Sequence, residues 1–183
     1  MKELTLITGN PKKAEQLQKL INYPLAHQTL DLIEIQDPDV EVVAKDKALR
    51  AYNLLQKPVL VEDTSLSFRA LNGLPGPFIK WFLEAIGSEG LCRLLADYED
   101  RTVTATVCLA LCDENGVKLF TGESIGTVAL KPQGETDFGW NNIFIPDGST
   151  QSWAEMKHNG EQNDTMRSRA ATKLQTYLQE QYQ

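Results

Sequence analysis

Histidine and cysteine are scarce in this chain, two of the first and three of the second among 183 residues. With only His27 and His158, a three-histidine zinc centre cannot be assembled and a histidine-based triad has few candidates. Cys92, Cys108 and Cys112 are odd in number and lack paired metal-ligand spacing, so they read as reduced thiols of the core. Long apolar runs are also missing. The longest covers residues 107–112, far short of the roughly 20 residues that cross a bilayer as a helix. Positive charge is in deficit, with Lys+Arg 18 against Asp+Glu 25 and a formal net charge of -7. That balance opposes a broad grip on a nucleic-acid backbone, so any cationic site must be local. The first ten residues carry Glu3 where a leader would be basic and no sustained apolar stretch, and the expectation is a cytoplasmic protein. Neither a phosphate-loop motif nor a Gly-x-Gly-x-x-Gly fingerprint occurs. Catalysis, if any, must therefore lean on carboxylates.

What is present belongs to an ordinary globular protein, 42% hydrophobic and 23% charged. The pattern predicts one mixed α/β domain over residues 1–183, without repeats or linkers. Residues 3–8 form a strand feeding Gly9-Asn10-Pro11, where Asn10 caps a helix that starts on Pro11 and carries Leu17, Leu20 and Ile21 as one apolar stripe. Residues 25–32 are extended. A second helix opens at Asp37-Pro38, with Val40, Val43, Ala44, Ala51, Leu54 and Leu55 at helical spacing. Residues 58–61 make a short buried strand with Glu62-Asp63-Thr64 at its C-terminal end. A turn-rich loop at 71–77 delivers helices at 78–86 and 88–98. Residues 101–112 and 117–130 flank an Asn-Gly hairpin turn and pair antiparallel. A glycine-rich loop at 133–140, an apolar run at 143–145 and a helix at 164–182 complete the chain.

Two features suggest a ligand. The turn Thr8-Gly9-Asn10-Pro11-Lys12-Lys13 offers backbone N–H groups at the positive end of a helix, a seat for an anion or simply a capped helix with two solvated lysines. Glu34 and Asp63, near the ends of the second and third extended pieces, are hard oxygen donors of the kind Mg2+ takes together with phosphate oxygens and water. Lys45 is unremarkable alone, whereas Lys80 lies within the apolar segment Phe78-Ile79-Lys80-Trp81-Phe82.

These segments, with Asp31-Leu32-Ile33-Glu34-Ile35-Gln36, Val61-Glu62-Asp63-Thr64, residues 73–82 and Asp137-Phe138-Gly139-Trp140, occur in an order and spacing that resembles the inosine triphosphate pyrophosphatase family. The resemblance spans nearly the whole chain. It implies an elongated mixed sheet with helices forming two lobes around a central cleft, a homodimer, and Mg2+-dependent cleavage of a deaminated purine nucleoside triphosphate (ITP, XTP or dITP) to monophosphate and pyrophosphate. By the same resemblance Thr8, Asn10, Lys13, Lys45 and Lys80 bind phosphate, with Thr64 beside them. Glu34 and Asp63 hold the metal, and Asp63 activates water while Lys13 and Lys80 neutralise the departing pyrophosphate. Phe138 and Trp140 line the base, and Arg167 contacts it.

The chain departs from the family pattern on the base side. Asn141-Asn142 stands where Asp-Pro is usual, Gln162 (or Glu161, with the gap placed differently) replaces a lysine, and Met166 replaces a histidine. Asn and Gln present both donor and acceptor, so another base becomes possible. A nucleotide-binding protein without catalysis is the alternative from a different class, and retention of Glu34, Asp63 and the three lysines opposes it.

Overall fold

The computed structural model describes residues 3–136, 139–161 and 164–181. Strand β1 (Leu4–Ile7) is buried along its whole length, as an apolar and β-branched run in a parallel sheet should be. It lies between β2 (Leu25–Gln28) and β3 (Val59–Phe68), parallel to both, with Leu6 opposite His27 and Leu60 and Ile7 opposite Gln28 and Val61. Helix α1 (Pro11–Leu20) follows β1 directly, and helix α2 (Val40–Leu55) crosses from β2 to β3. The remaining elements are β4 (Pro75–Gly76), α3 (Ile79–Arg93), β5 (Thr102–Asp113), β6 (Gly116–Val128), β7 (Phe144–Pro146), α4 (Trp153–His158) and α5 (Met166–Gln181). The hydrogen-bonded strand order is β2-β1-β3-β5-β6-β7, and β4 pairs antiparallel with β3. The mixed α/β class expected from the sequence is the class observed.

The chain divides into two compact units. The first comprises residues through Thr64, Thr106–Glu123 and Met166 onward, and the second Ser65–Ala105 and Ser124–Thr165. In the first, α2 packs a stripe of Val40, Ala44, Ala48 and Ala51 onto Ile7, Val59, Val61, Cys108, Ala110 and Cys112. The small alanines let the helix backbone approach the sheet closely. Leu54, expected on this stripe, is 66% exposed, because the packed line runs from Ala51 to Leu55 and Leu54 lies about 100° around the helix from Leu55. Helix α2 also starts at Val40 rather than at Asp37-Pro38: Asp37 caps a turn by accepting from the Asp39 N–H, and Asp39 then caps the helix by accepting from the Glu41 N–H. All three cysteines are free and buried. Burial pushes the Cys108 thiol up to about 12, which makes it inert at neutral pH.

Gly122 of β6 and the first turns of α5 come very close, also within the first unit. A Cβ on Gly122 would stand 2.1 Å from the Met166 carbonyl oxygen and 2.6 Å from the Ala170 nitrogen. In the second unit, α3 breaks at Gly87 (φ 64, ψ -179), the division the sequence places between 86 and 88. There Arg101 donates to the carbonyl oxygens of Cys92, Leu95, Val128 and Ala129. Helix α4 is absent from the sequence reading. Its signature was present, since Ser152 and Glu155 form a reciprocal capping box.

Candidate active site

Strand β3 positions the site. Its parallel pairing with β1 stops at Val61, so Glu62, Asp63 and Thr64 follow the carboxyl end of the parallel ladder, where ligands of open α/β sheets bind. The expected strand of residues 58–61 is too short: β3 runs on to Phe68 because Leu66 and Phe68 are fully buried. The carboxylates therefore lie inside a strand, not at its end.

The two neighbouring carboxylates have opposite surroundings. Glu62 is buried and accepts from Arg167 through both oxygens, Nε to Oε2 at 2.9 Å and Nη2 to Oε1 at 2.8 Å. Lys13 Nζ lies 3.3 Å from the same Oε1. Burial works to raise the Glu62 carboxyl, but Lys13 and Arg167 together outweigh it and hold it below its usual range. The remaining Arg167 Nη1 donates to Gln16 Oε1, so α1, β3 and α5 meet on one ion cluster.

Asp63 shows the reverse balance. Lys47 Nζ donates to its Oδ1 at 3.3 Å, while Oδ2 is buried without a hydrogen-bond partner. Burial dominates and raises the carboxyl above its usual range, against the lowering influence of Lys47 and Lys13. Lys47 Nζ also lies 2.6 Å from Glu34 Oε1. Burial pulls the Lys47 ammonium down, and Asp63 with Glu34 more than compensates, holding it above the usual lysine range. Next along the strand, Thr64 Oγ1 is buried and unpartnered.

The predicted residues thus separate into groups. Glu34, Asp63, Lys13 and Thr64 fall within the first unit, with Arg167, and Lys47 joins Glu34 to Asp63. Lys45 is exposed on α2, two positions and about 200° around the helix from Lys47. Lys47 was missed by sequence reasoning, although the spacing of Val40, Val43 and Ala44 points to it three to seven residues on. The sequence leaves the role of Glu62 open. At the β1–α1 turn, Asn10 Oδ1 accepts from the N–H groups of Lys12 and Lys13, and Thr8 Oγ1 accepts from the Asn10 N–H. The N–H groups of Lys12 and Lys13 that would seat an anion are donated to Asn10, as in a capped helix.

In the second unit, Lys80 is exposed on α3 with Nζ 5.2 Å from the Trp81 ring centroid. Trp140 is 7% exposed and packs against Phe144 and Trp153 at centroid distances of 5.8 and 5.9 Å. It serves the core there rather than offering an open face. Asn141 is half-buried, and its carbonyl accepts from the Ala154 N–H. Phe138, Asp137 and Gln162 lie outside the described residues. Met166 is buried at the start of α5.

Neighbouring carboxylates just beyond the parallel β1–β3 ladder, one in an ion cluster with Arg167 and Lys13 and one beside Lys47, mark an α/β protein with a charged cluster where such sheets take their ligands. The sequence model of the Ham1 family matches residues 4–177, and the chain belongs to that family. It is 41% identical over 182 residues to an inosine triphosphate pyrophosphatase of Yarrowia lipolytica, covering 97% of this chain and 96% of that one. It is 40% identical over 180 residues to inosine triphosphate pyrophosphatase 2 of Trypanosoma cruzi, covering 96% and 92%. Among solved structures it is similar to a HAM1 protein from Coxiella burnetii, with a TM-score of 0.86 and 26% identity over 98% of this chain and 100% of that one.

Proposed function

We propose that the protein hydrolyses deaminated purine nucleoside triphosphates, ITP, XTP or dITP, to the monophosphate and pyrophosphate, and that the carboxylate–ammonium cluster of the first unit carries the reaction. The names of the relatives support the substrate class. The observation that carries the site is the contrast between Glu62, locked by Arg167 and Lys13, and Asp63, with a buried unpartnered oxygen and a raised carboxyl.

Attack of water at the α-phosphorus needs a proton acceptor and cations around the phosphates. Asp63 Oδ2 is the acceptor in this reading. Burial holds its carboxyl above the ordinary aspartate range, in the direction a general base needs, and in the nucleotide-free protein Lys47 on Oδ1 fixes its orientation. Lys13 and Lys47 each face a carboxylate and have an ammonium to offer phosphate oxygens. Such local charge is what lets a chain of net charge -7 hold a polyanion. Lys80, Phe138 and Asn141 enter the proposal on the resemblance alone, and Trp140, packed on Phe144 and Trp153, is left out of it.

Among the described residues no group of three or more His, Cys, Asp or Glu side chains is arranged to hold a metal ion. Glu34 and Asp63 nevertheless fit Mg2+. They are two hard carboxylates converging on one cation, Lys47, through Glu34 Oε1 and Asp63 Oδ1, which leaves Asp63 Oδ2 for the water. Mg2+ held by these two residues would supply charge neutralisation for the triphosphate. No helix among the described residues is long and apolar enough to cross a membrane, and three free cysteines suit a cytoplasmic setting. The protein is read as a homodimer.

The test is pyrophosphate release with Mg2+ across ITP, XTP, dITP, dATP, dGTP and pyrimidine triphosphates. The deaminated purines are expected to show the highest kcat/KM. A best substrate outside them would assign the Asn141 and Met166 departures to a changed base preference, and no release from any would leave a binding protein.

A further inference from the structure

The ammonium of Lys47 stands in the position where the reading above puts a divalent cation. It lies 2.6 Å from Glu34 Oε1 and 3.3 Å from Asp63 Oδ1, and its side chain is only 17% exposed. Glu34 belongs to the segment after β2, Asp63 to β3 and Lys47 to the middle of α2, so three separate pieces of chain converge on one nitrogen. Two carboxylates brought together without a counter-charge repel each other, and a partly buried one is costly to ionise. Lys47 removes that cost in the nucleotide-free protein. A divalent cation at the same oxygens would meet a like charge within a few ångströms, so the two cannot share the position.

We propose that Lys47 is a built-in placeholder for the metal: its ammonium occupies the position between Glu34 and Asp63 until a divalent cation displaces it, and the displaced ammonium is then available to the phosphates. This rests on the metal reading of Glu34 and Asp63. Displacement costs the cation part of its affinity, and a polyphosphate that captures the released lysine returns it. By linkage each ligand then strengthens the other. The arrangement keeps metal affinity low in the absence of nucleotide.

The experiment measures Mn2+ binding to the full, nucleotide-free chain by the electron paramagnetic resonance signal of free Mn2+. Lys47→Met is expected to tighten Mn2+ binding by about tenfold or more, because one nearby positive charge is removed. Lys47→Arg, which retains a cation able to span two carboxylates, should stay within about threefold of the unmodified chain. Adding Glu34→Gln to Lys47→Met should abolish the gain. Turnover should move the other way, falling in Lys47→Met although the metal binds more tightly. Where circular dichroism shows that Lys47→Met does not fold, Lys47→Gln is measured in its place. If the neutral variant binds Mn2+ no more tightly while Glu34→Gln alone weakens binding, the placeholder is overturned and the metal position stands. If neither Glu34→Gln nor Asp63→Asn changes Mn2+ affinity, both readings fall.

Discussion

Glu62 and Asp63 are neighbours in sequence with different work. For Asp63 the expected consequence of Asp63→Asn is a loss of roughly a hundredfold or more in turnover with the fold retained, read as pyrophosphate release beside circular dichroism. Near-normal turnover would remove Asp63 as the base. For Glu62 the consequence is stability. Glu62→Gln leaves Arg167 and Lys13 facing a neutral amide in a buried position, an expected loss of about 3–5 kcal/mol in urea unfolding near neutral pH. Since the Glu62 carboxyl is held below its usual range, its contribution is present above the ordinary glutamate value and is lost as pH falls through the folded one. The gap between the parent and Glu62→Gln should therefore narrow in acid, and a gap independent of pH would contradict the ion cluster. At this scale the sequence was only partly legible. Asn10 was readable as a cap because its partners are two and three residues away. Arg167 as the partner of Glu62 was not, because 105 residues separate them and no local pattern joins them.

Among the elements, α2 shows both the reach and the limit of periodicity. Its buried stripe of Val40, Val43, Ala44 and Ala51 was visible as apolar spacing. Lys45 is the lysine expected from the sequence, yet it lies on the exposed side of α2, whereas Lys47, three, four and seven residues after Ala44, Val43 and Val40, is carried on the sheet-facing side to Glu34 and Asp63. Strand β3 looks shorter in the sequence because Glu62 to Ser65 is polar, whereas in the fold Glu62 is neutralised by charges from α1 and α5. The β6–α5 approach gives a test of packing. Gly122→Ala should destabilise the protein by about 1–3 kcal/mol, because the added methyl meets backbone atoms that cannot rotate away. Thermal unfolding measures it, and an unchanged midpoint would show that α5 can shift without penalty.

For the whole molecule, the mixed α/β class and the order of most elements were legible because apolar periodicity marks the long helices and strands, and turn residues such as Asn10-Pro11 and Asn115-Gly116 separate several of them. The homodimer carries its own measurement: sedimentation equilibrium should give twice the chain mass of 20.5 kDa, and a value of one chain mass would remove it. The span between Glu62 and Arg167 also bears on how the protein is made. A ribosome adding about 5–20 residues per second needs on the order of 5–20 s to pass from one to the other. Through that interval the emerging carboxylate lacks its guanidinium, so the nascent chain holds its acidic centre half-compensated, and the first unit closes only when the last helix is delivered.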